Sequence, residues 1–121
     1  MIGLDRLMEK PGVVAAGQFT KDGKVERAVG NLSPEKMEMI AWMCSANSKR
    51  LAEQAKIFDD ELEMEWRPMN GWMVWAGKYA ICVVGNTGVF VEAKKADFNQ
   101  LMVDLFVSTA TGTKPVNISG L

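Results

Sequence analysis

The residues of this 121-residue chain that could do chemistry are two cysteines, one acidic run and three closely spaced tryptophans. There is no histidine, so Ser-His and Cys-His nucleophilic pairs are ruled out and acid–base work would fall to carboxylates. Cys44 and Cys82 form no CxxC pair. A structural zinc site takes about four soft ligands, which the chain cannot supply. Both cysteines sit among apolar residues, where a thiol usually serves as a small buried hydrophobe. A reactive Cys82 would need a lowered pKa, and only Lys78 lies nearby in sequence to provide it.

The acidic run is "FDDELEME". Asp59, Asp60 and Glu61 carry the oxygen ligands a hard cation prefers, but their spacing fits no ion-binding loop. They are expected to be a solvated helix end and strand face. "GNTG" reads as a hairpin turn rather than a phosphate loop, because no Gly-Lys-Ser/Thr follows it. No metal and no cofactor is expected. In "WMVWA", Trp72 and Val74 would face one way, Met73 and Trp75 the other. Trp72 and Trp75 are core residues against a helix, anchors for a partner, or the wall of an apolar pocket. Nine methionines suit a soft core or an adaptable surface equally.

The elements that must position these groups follow from periodicity. "IGLDRLMEK" puts Leu4, Leu7 and Met8 on one helical face, and Pro11-Gly12 stops that helix. "VVAAGQFT" is apolar on both faces, as a central strand is. "KDGK" turns into "VERAVG", an edge strand with Val25 and Val29 on one face and Glu26 on the other. Ser33 caps the longest helix, with Pro34 in its first position. Its main stripe runs from Met37 through Ile40, Ala41, Cys44, Ser48, Leu51 and Ala55 to Phe58. A second apolar row, Met39, Trp42, Met43 and Ala46, occupies only the first half. A helix apolar on two sides needs two partners. "ELEMEWR" alternates Leu62, Met64 and Trp66 with charges and is predicted to be an edge strand. Asn70-Gly71 then turns into "WMVWA". "YAICVVG", apolar on both faces, is central; "VFVEA" follows. Asp97 and Gln100 resemble a capping box for a last helix bearing Phe98, Leu101, Met102 and Leu105.

Composition restricts the function classes. The chain is 48% apolar and 24% charged, with net charge −1 and pI near 5.5. That leaves no basic field for nucleic acid or anionic membrane. No apolar run could span a bilayer and no signal peptide is visible, so a cytoplasmic location is expected. Residues 1–107 are expected to form one domain and 108–121 a loose polar tail.

The order of elements, with "LMEKPGVVAAGQFTKDGKV" and "YAICVVGNTGVFVEA" as its local marks, resembles the roadblock (dynein light-chain) domains of profilin-like fold. The resemblance spans about residues 4 to 107, and is closer still to a small uncharacterised prokaryotic family related to them. It implies an α+β sandwich whose five-stranded antiparallel sheet runs 2-1-5-4-3. The long helix would cover one face and the terminal helices the other. It also implies a homodimer joined through the third strand and long helix, with no active site, acting as a scaffold or regulator. A small GTPase or a metabolic complex would be the partner. On that basis the interface comprises Met39, Trp42, Met43, Glu61, Leu62, Met64, Trp66 and Arg67. Pairing two copies antiparallel about Met64 sets Glu61 opposite Arg67 and Glu63 opposite Glu65, one gain and one loss. The alternatives are a small-ligand sensor with Trp72 and Trp75 lining a pocket, and an enzyme or sulfur carrier using Cys82. The last would show fast, selective labelling of one thiol.

Overall fold

The computed structural model describes residues 3–110. The elements are α1 (Leu4–Met8), β1 (Val13–Phe19), β2 (Val25–Gly30), α2 (Pro34–Leu62), β3 (Gly71–Ala76), β4 (Tyr79–Val84), β5 (Thr87–Glu92) and α3 (Phe98–Ala110). The strands form one antiparallel sheet in the order β2-β1-β5-β4-β3, as expected. Both strands predicted to be central, β1 and β4, are flanked on each side.

Side-chain alternation divides the core in two. On one face Leu4 and Leu7 of α1 and Leu101 and Leu105 of α3 pack on Ala16, Cys82, Val84, Val89 and Val91. On the other, Ala41 and Cys44 of α2 meet Phe19, Trp72 and Val83. α2 starts as predicted: the Ser33 hydroxyl oxygen accepts the Lys36 N–H at 3.3 Å, with Pro34 at the first turn. At α3 the Asp97 carboxylate accepts the Gln100 N–H at 3.2 Å. The Gln100 side-chain amide donates forward to Asp104, and no return bond from the Asp97 N–H to the Gln100 side-chain oxygen is seen among the described residues, so the capping box is half made. The helix continues to Ala110, beyond the expected boundary at 107. The rest of the expected tail, residues 111–121, lies outside the described residues. Among the described residues no helix is long and apolar enough to cross a membrane.

Two sequence expectations are overturned. First, Val25 and Val29 do not share a face. Phe19 pairs with Val25 but Gln18 pairs with Arg27, so Glu26 is an unmatched residue and the ladder bulges there. Crossing the bulge flips the alternation: Val25 joins the α2 side and Val29 the α1/α3 side. Second, residues 61–67 are not a strand. α2 runs on through Glu61 and Leu62 and ends at Glu63, which adopts left-handed backbone at φ 52°. The Met64 N–H reaches back to the Phe58 carbonyl at 3.4 Å, closing the helix end. Gly71 therefore opens β3 rather than making a turn. A Cβ there would lie 2.5 Å from the Val83 carbonyl oxygen, so the close approach of β3 to β4 needs glycine.

Candidate interaction surface

The segment between α2 and β3 is held by one carboxylate. Asp59 accepts the Trp66 N–H at 2.6 Å, the Arg67 N–H at 3.2 Å and the Arg67 Nε–H at 2.7 Å. Backbone donors that a strand would have offered to a neighbour are satisfied by a side chain one turn before the helix end. Trp66 lies against Phe58, ring centroids 4.8 Å apart. Arg67 also reaches Asp60, and Lys56 pairs with Asp60 one turn back. The Arg67 side-chain hydrogen bond, then the Trp66 N–H, hold the Asp59 carboxyl below its ordinary pKa. Of the acids considered as cation ligands, Asp59 and Asp60 are thus committed to Arg67 and Lys56, and Glu61 to neither. Glu61 and Arg67 form no two-residue edge ladder, and the pairing of Glu61 with Arg67 across two copies is withdrawn, because Arg67 is taken within its own chain.

The remaining predicted interface residues fall in two patches. Met39, Trp42 and Met43 are exposed on the outer side of α2, Trp42 at 64%. Trp42 stands beside the β1–β2 turn, where a Cβ on Gly23 would meet its Cα at 3.1 Å. Leu62, Met64 and Trp66 are exposed at the far end of α2 and in the segment after it. Ile57, which the sequence reading passed over, adds an exposed apolar residue to the outer side of α2.

Trp72 and Trp75 are not brought together. Trp72 is buried on the α2 side, its Nε1–H donating to the Ser48 hydroxyl at 2.8 Å. Trp75 is 66% exposed on the opposite face, 6.2 Å from the Phe98 ring. An apolar cavity of about 50 Å³ lies between α2 and the sheet, lined by residues including Phe19, Met37, Ile40, Cys44 and Phe90. Neither tryptophan lines it, and drug-sized ligands occupy roughly 300–1,000 Å³. Both thiols are buried and unpaired, and desolvation pushes each up to about 11. At neutral pH neither supplies a thiolate.

What sequence reasoning missed is the bare half of the α2 face. α2 packs mainly over β1 and β2; on β3 and β4 it buries Trp72 and Val83 but leaves Val74 and Tyr79 exposed. Val74 is paired with Ile81 and Ile81 with Phe90, so these three side chains point to the same side as Trp72. Val74 is 50% exposed, Tyr79 is exposed with its ring 5.3 Å from Phe90, and Ile81 and Phe90 are half-buried. The signal was present in "YAICVV": both of its rows are apolar, but only one was matched to a covering helix.

Comparison with known proteins fits this geometry. The family described as "Uncharacterized conserved protein (DUF2173)" matches residues 3–106. The chain belongs to that family. No curated protein matches the sequence. Among solved structures, this DUF2173 chain is similar to a Roadblock/LC7 domain from Streptomyces avermitilis, at 16% identity and a TM-score of 0.74. That likeness covers 88% of this chain and 90% of the other. The gliding protein MglB from Thermus thermophilus aligns at 13% identity and a TM-score of 0.67, over 84% of this chain and 76% of that one. Myxococcus xanthus MglB aligns at 13% identity and a TM-score of 0.62, over 89% and 92%. The DUF2173 chain therefore has the roadblock fold.

Proposed function

We propose that the chain is a non-catalytic, homodimeric interaction module that scaffolds or regulates another protein. The observation that carries this reading is the bare apolar surface of Val74, Tyr79, Ile81 and Phe90 beside the free edge of β3. β3, "GWMVWA", has no charged residue and no proline, so it lacks the usual guards of an edge strand against pairing. Two β3 strands paired about a two-fold axis would extend the sheet across both copies. The outer row of α2, including Met43, is then available to cover the bare half of the second copy. Moving the edge from residues 61–67 to β3 also removes the Glu63–Glu65 repulsion that the earlier register required.

The roadblock resemblance supports a regulated protein, a small GTPase among them, as the further partner. Buried, unreactive thiols and acids committed to ion pairs support a module without chemistry of its own. Two unpaired thiols also suit a reducing, cytoplasmic setting. The small cavity beneath α2 and the separation of Trp72 from Trp75 give no support to the alternative of a ligand pocket lined by those two tryptophans.

Amide hydrogen exchange tests the strand pairing. The β3 amides that face away from β4 should be protected at high protein concentration and lose protection on dilution. Exchange of those amides at loop-like rates under all conditions would contradict the dimer.

A further inference from the structure

A second surface lies on the other side of the molecule from the bare half-face. An open groove of about 620 Å³ runs between the segment after α2 and the flank of α3. Trp66, Pro68 and Met69 form one wall, Met102, Val103 and Phe106 the other, and Val84 lies between them. Val84 belongs to the α1/α3 core, which places the groove away from the α2 side. Its apolar lining includes exposed side chains at both margins, Trp66 on one and Val103 on the other. A small molecule seated in the groove would leave those margins bare. An extended segment of another protein would cover them.

The charges around the groove state what that segment carries. Glu65 lines it, and Glu63 and Glu61 precede it on the same stretch of chain. None of the three forms an ion pair among the described residues. The nearby cations are already used: Arg67 by Asp59 and Asp60, Lys56 by Asp60. The only charge on α3 is Asp104, which is buried and paired with Lys10 at 3.2 Å. Among the described residues the groove is thus apolar at its base, with Glu65 as the one charged residue lining it and Glu63 two residues before that in the chain.

We propose that this groove docks a basic partner segment, one that places aliphatic side chains on Met102, Val103 and Phe106 while its Lys or Arg residues face Glu65 and Glu63. The rim charges steer and orient the segment, and the buried aliphatic anchors hold it. The groove reaches Gly71 at the start of β3, so binding and dimerisation are read by separate measurements, chemical shift for one and molar mass for the other.

Titration of the full chain with a peptide of alternating leucine and lysine, followed by ¹H–¹⁵N NMR, tests it. The expected result is saturable shifts confined to the Trp66 indole and residues 65–71 and 102–106, weakening as salt is raised. The same peptide with glutamate in place of lysine should not bind. Glu63→Lys with Glu65→Lys, and separately Val103→Glu, should each weaken binding by about tenfold or more without changing molar mass. Both sites are exposed, so these variants are expected to fold. Equal binding of the two peptides, shifts centred on β3 and α2, or no shifts at all would overturn the proposal. A change of molar mass in Val103→Glu would assign the groove to a second copy and equally overturn it.

Discussion

The two faces of the sheet have been finished differently. On one, α1 and α3 close over Ala16, Cys82, Val84, Val89 and Val91, and Leu7 and Leu105 are fully buried between them. On the other, a single 29-residue helix crosses β1 and β2, while Val74, Tyr79, Ile81 and Phe90 stay partly in water. Fully burying an aliphatic or aromatic side chain stabilises by roughly 1.5–3 kcal/mol. The first face has that contribution already; Val74 and Tyr79 on the second do not. Within one sheet, one face is closed by its own helices and the other leaves Val74 and Tyr79 exposed.

The largest effect that would separate the faces is on the closed one. Leu105→Ala should cost about 3 kcal/mol of folding stability in urea titrations, at every protein concentration. A cost below about 1 kcal/mol would mean the closed face is not the main core. Next comes the open face. Val74→Glu should leave the monomer's unfolding midpoint nearly unchanged while weakening self-association by about 2 kcal/mol or more, since it sets like charges near a two-fold axis. Trp72 sits at the boundary between covered and bare surface. Trp72→Phe keeps a ring but loses the hydrogen bond to Ser48, and should cost ~1 kcal/mol of folding stability.

The smallest effect concerns the segment after α2. The Asp59 carboxyl has a folded pKa held below the ordinary 3.8, so its contribution is present above that value and is lost as pH falls through the folded pKa. Asp59→Asn should therefore be less stable than the wild type at neutral pH, with the gap closing as the solution is acidified below 3.8. Hydrogen exchange at Trp66 or Arg67 should quicken in the same variant, because asparagine offers one neutral amide oxygen where the carboxylate offers two charged ones, so one of the two N–H groups loses its acceptor. An unchanged rate there would show that the segment is held by something else.

Much of the fold was legible because it rests on local chemistry. Ser33-Pro34 opens α2, Asp97 caps α3, and the two-sided apolar strands lie inside the sheet as their pattern requires. The failures came where one residue changed the meaning of a pattern. The alternation of Leu62, Met64 and Trp66 looks like a strand, but it is the last turn of a helix followed by a segment tied to Asp59. A carboxylate seven residues away is invisible to periodicity. Likewise the bulge at Glu26 reverses the faces of β2, and nothing in "VERAVG" announces it.

The interaction surface was legible by residue type but not by place. Met39, Trp42 and Met43 are exposed as the second apolar row implied. Trp72 and Trp75 lie on opposite faces of β3, as the alternation predicts, but that one is core and the other exposed is not given by it. The alternation puts Val74 on the Trp72 face but does not say that it and Tyr79 stay exposed, because whether α2 reaches β3 and β4 depends on its path across the sheet. That path is a tertiary property which no single stretch of sequence encodes.

The central claim is that the bare half-face is closed by a second copy. Light scattering after size exclusion, across a dilution series of wild type and Val74→Glu, tests it most directly. The account predicts about twice the 13.3 kDa chain mass for the wild type, persisting on dilution, and the single-chain mass for Val74→Glu. A wild-type protein that is folded and runs at the single-chain mass throughout the series would contradict it.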